Sequence, residues 1–346
     1  MSELSPSAIR AVDEACMIDV VGEQPEHLLD ALRRALWTRI PINDYPGGMV
    51  VCGMGGSAIG ADLAAAVIGD RARRPMRTIR GYDLEPWVDA DTLVVCASYS
   101  GNTEETLSCY EQARVAGLPI VAITTGGELG RCSDIHGVPA IRLPAGMQPR
   151  ASVIYGLIAA LECAHAAGVV PALHSEIERA VEQHERLVSE WGPEAPVYSQ
   201  AKALALRLQG TVPVFYGAGP TAPLAFRWKA QLNENAELPA FCSVLPEADH
   251  NELCAWGRPG LAPLSAVFLD DPDIHPRVRR RIELTADLAL DGASVVEHVE
   301  SAGETPLERV LSLVLLGDYV SVYLAVLEGV DPTPVESIER FKAALA

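Results

Sequence analysis

The fold of this chain is decided by residues 49–60, MVVCGMGGSAIG, where a short apolar run passes directly into a glycine-rich turn. The apolar run predicts a buried strand, and the alanine-rich residues 61–69 predict the helix that follows it. Glycines at such a turn let the backbone approach a ligand, and the helix N-terminus offers N–H groups and a partial positive charge to an anion. Tight turns of this kind also occur without a ligand, so the stretch alone indicates a strand–turn–helix unit.

Strands and helices continue to alternate after this unit. Further strands are predicted at 76–82, 92–100 and 118–125, and the stretch 211–219, TVPVFYGAG, is similar to a second strand–turn start. This alternation is typical of parallel sheets covered by helices on both faces. We therefore predict an α/β protein with two weakly similar domains. The predicted boundaries are a helical segment at 1–45, a first domain at 46–165, a helical linker at 166–198 and a second domain at 199–346.

The charge of the chain argues against two classes of partner. Its 346 residues contain 27 Lys and Arg against 46 Asp and Glu, a formal net charge of −19. Nucleic acid and anionic membrane surfaces are held mainly by basic residues, so we expect neither as a partner. The apolar stretch 310–330 contains Asp318 and Glu328 and is expected to be a buried helix, not a membrane span. An anionic substrate is compatible with this charge, because backbone amides and hydroxyls bind phosphate in acidic proteins.

The first twenty residues and the cysteines both indicate a cytoplasmic protein. Residues 1–20 contain acidic side chains and no apolar run of the kind found in secretion signals. The eight cysteines include no CxxC pair, and we expect them to be reduced core residues rather than zinc ligands or disulfides.

A dinucleotide site is the first alternative for the turn after residue 52. Gly53, Gly55 and Ala58 satisfy the loose form of that fingerprint. However, the next predicted strand ends in Arg80, where an acidic partner for the ribose would be expected, and no GK[ST] motif indicates a P-loop. The sequence therefore favours a simple anion over a dinucleotide.

A second loop, residues 98–103, SYSGNT, follows an apolar strand and precedes a helix. Its hydroxyls can surround a phosphate with short hydrogen bonds while the helix dipole offsets the charge. The alternative is helix capping, since a hydroxyl before Glu104 and Glu105 also forms a capping box, but capping needs only one hydroxyl and this loop has three Ser and Thr hydroxyls. The predicted phosphate-binding residues are Gly55, Gly56, Ser57, Ser98, Ser100 and Thr103.

The SYSGNT loop resembles the phosphosugar loop of the sugar isomerase (SIS) domain family. The stretches 227–241, RWKAQLNENAELPAF, and 246–252, PEADHNE, together with a lysine in the C-terminal helix, resemble the bifunctional phosphoglucose/phosphomannose isomerase branch. The resemblance covers the chain from about residue 48 to the end. It implies two doubly wound SIS domains of flavodoxin-like topology, a homodimer, a sugar 6-phosphate substrate and an isomerisation that needs neither a metal nor a cofactor.

The resemblance also gives four residues a catalytic role. Glu234, in the NEN motif, would move a proton between C2 and C1 through an enediolate, a task suited to a carboxylate whose pKa is raised by burial. His250, which stands among acidic residues in the sequence, would open the sugar ring from across a dimer interface, assisted by Lys342. Arg150 would stabilise the enediolate. Without the resemblance, each would be read as an ordinary surface or helix-end residue.

Two other functions stay open at this point. The first is a non-catalytic sugar-phosphate sensor, because SIS domains also serve as ligand-binding modules in regulators. Against this function, the sequence shows no attached helix-turn-helix or basic patch. The second is an isomerase of another phosphosugar, such as an amino sugar.

Overall fold

The computed structural model describes residues 3–256, 258 and 263–345, and the chain forms two compact units. The first unit comprises Glu23–Glu182 and Thr305–Leu307, and the second comprises Met1–Gly22, Gln183–Glu304 and Glu308–Ala346. The helices are α1 Pro6–Val12, α2 Met17–Gly22, α3 Gln24–Thr38, α4 Gly55–Ile68, α5 Glu104–Val115, α6 Gly127–His136, α7 Val153–Ala166, α8 His174–Trp191, α9 Gln200–Leu208, α10 Ala222–Asn235, α11 Leu253–Trp256, α12 Pro276–Ala289, α13 Pro306–Glu328 and α14 Glu336–Leu345. The strands are β1 Gly48–Cys52, β2 Met76–Ile79, β3 Thr92–Ala97, β4 Ile120–Thr124, β5 Ala140–Arg142, β6 Val212–Gly217, β7 Phe241–Val244, β8 Leu264–Asp270 and β9 Val295–Glu300.

The first unit is built on a five-stranded parallel sheet with the strand order β2-β1-β3-β4-β5. Every residue of β1, β3 and β4 is buried, which explains why these strands read as continuous apolar runs in the sequence. The strand order reverses between β1 and β3, and ligands of open α/β sheets bind at this switch point, beyond the carboxyl ends of the strands. The predicted parallel fold with flavodoxin-like topology is thus confirmed.

The second unit contains a four-stranded parallel sheet with the order β7-β6-β8-β9. Its central strands bury Tyr216 and Phe268, whose stacked rings lie 4.9 Å apart between centroids. The edge strand β7 has exposed apolar side chains at its two ends, Phe241 and Val244.

The helix α13 is long and apolar enough to cross a membrane, but 94% of its most apolar window is buried inside the fold. It is therefore a core helix, as the polar interruption by Asp318 predicts. Asp318 itself is buried, and its partners are described below with the helix α10.

Candidate active site

The turn after β1 leads directly into the helix α4, whose first residue, Gly55, is exposed and has a left-handed φ of 50°. Its N-cap residue, Met54, makes no side-chain capping hydrogen bond, so the N–H groups of the first turn are not capped by that residue. A Cβ atom on Gly56 would lie 2.9 Å from the carbonyl oxygen of Pro149. Glycine is thus required there because the backbone of residues 149–150 packs directly against the turn.

The loop after β3 is held by its own hydroxyls. The Oγ atom of Ser98 lies 2.7 Å from Oγ1 of Thr103 and accepts a hydrogen bond from the N–H of Gly101 at 3.1 Å. The Oγ atom of Ser100 accepts from the N–H of Asn102 at 3.2 Å. Ser98 is buried, Thr103 is half-buried and Ser100 is exposed. When Ser98 donates to Thr103, the hydroxyl hydrogen of Thr103 remains for an external acceptor.

Thr103 occupies the N-cap position of α5, yet its side chain makes no capping hydrogen bond. The Thr103 hydroxyl therefore does not cap α5, and helix capping does not explain the hydroxyls of this loop. The N-terminus of α5 adjoins the hydroxyl loop just as the N-terminus of α4 adjoins the glycine turn, and both follow the carboxyl end of a buried strand. Such an arrangement suits an anion that takes hydrogen bonds from hydroxyls and backbone N–H groups together.

Tyr99, which is not among the predicted site residues, joins the two loops and a third segment. Its backbone N–H donates to Oγ of Ser57 at 3.2 Å. Its hydroxyl donates to the carbonyl oxygen of Pro144 at 2.9 Å and accepts from the N–H of Met147 at 3.0 Å. Burial raises the pKa of Tyr99, so the phenol stays protonated and able to donate. Its place in the middle of SYSGNT was the only sequence signal for this role.

Arg150 lies in the same unit as these loops, in the short helical turn Pro149–Ser152 that precedes α7. It is 3% exposed, and its Nη1 atom lies 3.5 Å from Oε1 of Gln148. It is thus a buried cation in the first unit and not a solvated surface arginine. The segment that carries it is the one held by Tyr99 and backed by Gly56.

Glu234 is the penultimate residue of α10, in the second unit, and is half-buried. Both neighbours in the NEN motif use their amides to fix the helix end. Asn233 donates from Nδ2 to the carbonyl oxygen of Leu238 at 2.8 Å, and Asn235 donates from Nδ2 to Oγ of Ser321 at 2.8 Å. Glu237, by contrast, is exposed and has a left-handed φ of 52°.

His250 ends the short helical turn Glu247–His250 in the second unit and is exposed. Two acidic residues beside it in the sequence have partners elsewhere. Asp249 accepts hydrogen bonds from Arg281 at 3.0 Å and from Thr285 at 2.9 Å. Glu252 accepts from the hydroxyl of Tyr216 at 2.6 Å and also from that of Ser243. These carboxylates therefore fix the loop that presents His250.

Lys342 lies in α14, none of whose described residues is buried. This helix carries its large apolar side chains, Ile338, Phe341 and Leu345, in exposed positions. The structure thus brings the phosphate-loop residues and Arg150 together in the first unit, while Glu234, His250 and Lys342 belong to the second.

Most of the chain is similar in sequence to known proteins. Residues 198–345 match the family model described as bacterial phospho-glucose isomerase C-terminal SIS domain. A bifunctional phosphoglucose/phosphomannose isomerase of Caldicellulosiruptor bescii is 40% identical over 302 residues, which cover 86% of this chain and 89% of that protein. The protein of the same name from Aquifex aeolicus is 39% identical, with 86% of this chain and 90% of that protein covered.

A crystal structure of a hypothetical protein from Thermus thermophilus has the same fold, with a TM-score of 0.76. The two chains are 18% identical, and the alignment covers 98% of this chain and 93% of that one. This likeness concerns the fold alone, whereas the sequence identities above concern the family. The chain belongs to the family of bifunctional phosphoglucose/phosphomannose isomerases.

Proposed function

We propose that this chain interconverts glucose 6-phosphate and mannose 6-phosphate with fructose 6-phosphate by proton transfer through an enediolate. The observation that carries the proposal is its membership of this family over most of its length. The first unit supports it independently, because two linked loops present hydroxyls and uncapped helix N-termini suited to a phosphate. In the proposal the phosphate is held by Gly55, Gly56, Ser57, Ser98, Ser100 and Thr103.

The proposed chemistry needs a base, an acid for ring opening and a cation for the oxyanion. His250 and Lys342 open the sugar ring, and Glu234 then removes the proton from C2. The electron pair of that C–H bond forms the C1=C2 double bond, and negative charge develops on O1, where the Arg150 guanidinium stabilises it. As the proton returns to C1, the hydrogen of the C2 hydroxyl passes to O1 and the C2=O2 carbonyl forms, which completes the ketose. Glucose and mannose 6-phosphates differ only at C2 and share this enediolate, so one base serves both.

The first test is the initial rate of fructose 6-phosphate formation from glucose 6-phosphate and from mannose 6-phosphate, with chelator and without added metal. Turnover of both substrates supports the dual isomerase. Binding without turnover of either would leave the sensor, or an isomerase of another phosphosugar, as the function. Glu234→Gln sharpens the test, because it keeps the size and shape of the side chain but removes the base. An enzyme retains binding and loses turnover, whereas a sensor has only binding to retain.

We also propose that the chain acts as a homodimer in which His250 reaches the partner's substrate. Three observations in the second unit support it. His250 is exposed, the nearby edge strand β7 exposes Phe241 and Val244, and α10 exposes Phe226. Exposed apolar side chains grouped around a sheet edge are typical of protein–protein interfaces. The cytoplasm is the proposed compartment, supported by the finding that all eight cysteines are unpaired.

Mixing two inactive variants tests the exchange of His250. If each active site takes Glu234 from one chain and His250 from the other, a mixed dimer of His250→Ala and Glu234→Gln has one intact site. Refolding the two variants together in equal amounts should then restore about a quarter of the wild-type rate, since half of the dimers are mixed. If His250 acts within its own chain, the mixture stays inactive. A monomer in light scattering would contradict the proposal directly.

A further inference from the structure

We infer that Asn235 and Ser321 are positioning residues that hold Glu234 in place, at the end of a column of buried polar contacts between α10 and α13. This inference rests on the proposed role of Glu234 as the base. The column consists of Arg227, Gln231 and Asn235 on α10 and of Asp318 and Ser321 on α13, and each of the five is at most 3% exposed.

The contacts of the column follow the helical repeat. Arg227, Gln231 and Asn235 are spaced four residues apart and so lie on one face of α10. Nη2 of Arg227 lies 2.7 and 2.8 Å from the two carboxylate oxygens of Asp318, and Nε2 of Gln231 donates to the same carboxylate at 2.8 Å. Ser321 donates to the carbonyl oxygen of Asp318 at 2.8 Å and accepts from Asn235 at 2.8 Å.

A buried column of this kind fixes α10 more strictly than apolar packing does. Apolar side chains tolerate small sliding and rotation, but a shifted polar column leaves buried donors and acceptors without partners. The ring of Trp228 adds a steric stop, because its Nε1 donates to the carbonyl oxygen of Leu313 and a Cβ on Gly317 would lie only 2.4 Å from that nitrogen. Both the axial position and the rotation of α10 are therefore set by α13.

Glu234 depends on this arrangement because it stands in the last turn of α10. Helix ends fray, and a base that must reach a C–H bond cannot tolerate fraying. The amide of Asn235 ties this last turn to α13, and that of Asn233 ties it to the chain beyond the helix. Asn233 and Asn235 thus stabilise the end of α10 as a helix cap would. This explains why asparagines flank the glutamate in the NEN motif.

The variants Ser321→Ala and Ser312→Ala test the inference as a matched pair. Both serines are buried on α13 and donate to the carbonyl oxygen three residues earlier. Ser321 accepts from Asn235 next to the base, whereas Ser312 accepts from the backbone N–H of Ala302. Both variants should lose a similar few degrees of Tm. Since a displacement of 1 Å can cost about a hundredfold in rate, we expect Ser321→Ala alone to lose about tenfold in kcat, with KM unchanged.

Ser321→Thr keeps the hydroxyl and should recover most of the lost kcat. Equal kinetic losses in both alanine variants, or none in Ser321→Ala, would overturn the inference. Wild-type protein and Glu234→Gln are assayed beside them. If the wild type turns over no sugar phosphate, it is the proposed function that fails. If Glu234→Gln is inactive and Ser321→Ala is fully active, the function stands and only the positioning role fails.

Discussion

The backbone N–H of Tyr99 donates a hydrogen bond to the hydroxyl of Ser57 over 3.2 Å, and this contact joins the turn after β1 to the loop after β3. The two loops therefore form one surface of hydroxyls and backbone N–H groups within the first unit. Because Ser57 only accepts in this contact, its hydroxyl hydrogen is left to point at a bound anion.

Replacing Ser57 with Ala should weaken substrate binding more than it slows chemistry. The variant removes both a donor to the phosphate and the link to Tyr99. A hydrogen bond to a charged group contributes about 1.5–3 kcal/mol, so we expect KM for the sugar phosphate to rise by at least about tenfold. Ser108→Ala is the control, since Ser108 lies on α5 of the same unit and only accepts from the side chain of Gln112. Equal KM values for the two variants would contradict the phosphate role of Ser57.

Tyr99→Phe should lower kcat with little effect on KM. The phenylalanine keeps the ring and the backbone contact to Ser57, but it removes the hydroxyl that binds Pro144 and Met147. The segment leading to Arg150 is then released, and with it the cation proposed to stabilise the enediolate. We expect a loss of about tenfold in kcat, measured by initial rates.

Tyr155→Phe is the matched control for Tyr99→Phe. Tyr155 is a buried tyrosine of the same unit whose hydroxyl donates to Asp30, on α3, at 3.2 Å. Its loss should affect stability but not kcat. If the two variants showed the same kinetics, the coupling between Tyr99 and Arg150 would be disproved.

Gly101→Ala should abolish phosphate binding, whereas Gly117→Ala should not. Both glycines have a left-handed φ, 73° for Gly101 and 68° for Gly117, so both substitutions carry the backbone cost of about 1 kcal/mol. A Cβ on Gly101 would also lie 1.9 Å from the carbonyl oxygen of Gly126, while around Gly117 the space is open. The first substitution must therefore displace the hydroxyl loop. Titration with glucose 6-phosphate and urea unfolding measure both effects, and full binding by Gly101→Ala would show that the loop is not the phosphate site.

Much of the first unit follows from local sequence patterns. Apolar runs before glycine or hydroxyl clusters identify β1 and β3, and the parallel order then places their two loops side by side. Local patterns could not reveal Tyr99, because its contacts reach residues 42 to 48 positions away in the chain. Spacing within one motif carries no information about such distant partners.

In the second unit, too, local sequence patterns did not predict the side-chain contacts. Asp249 and Glu252 stand beside His250 in the sequence, but their hydrogen-bond partners are Arg281 and Tyr216, 32 and 36 positions away. Adjacent residues in a short helical turn point in different directions, so sequence proximity is a poor guide to side-chain contacts. The partner of Asn235, Ser321, lies 86 positions further on and was equally hidden.

The buried His184 predicts a pH dependence of stability in the second unit. His184 lies on α8 and is 1% exposed, and burial lowers its pKa to about 3. An unfolded histidine has a pKa of about 6.5, so between these two values the unfolded chain takes up a proton that the folded chain does not. The free energy of unfolding is therefore highest above pH 6.5 and falls as the pH is lowered toward 3, by up to about 1.4 kcal/mol per pH unit from this residue.

His184→Gln removes this titration and should flatten the pH dependence. Urea unfolding at pH 7.5 and 5.5 should show the wild type losing about 1.4 kcal/mol more than the variant over that interval. The variant will be less stable at pH 7.5 because the replacement disturbs a packed core position, so the comparison is between the two slopes and not the two stabilities. Parallel pH profiles for wild type and His184→Gln would mean that folding does not change the pKa of His184, which would contradict the prediction.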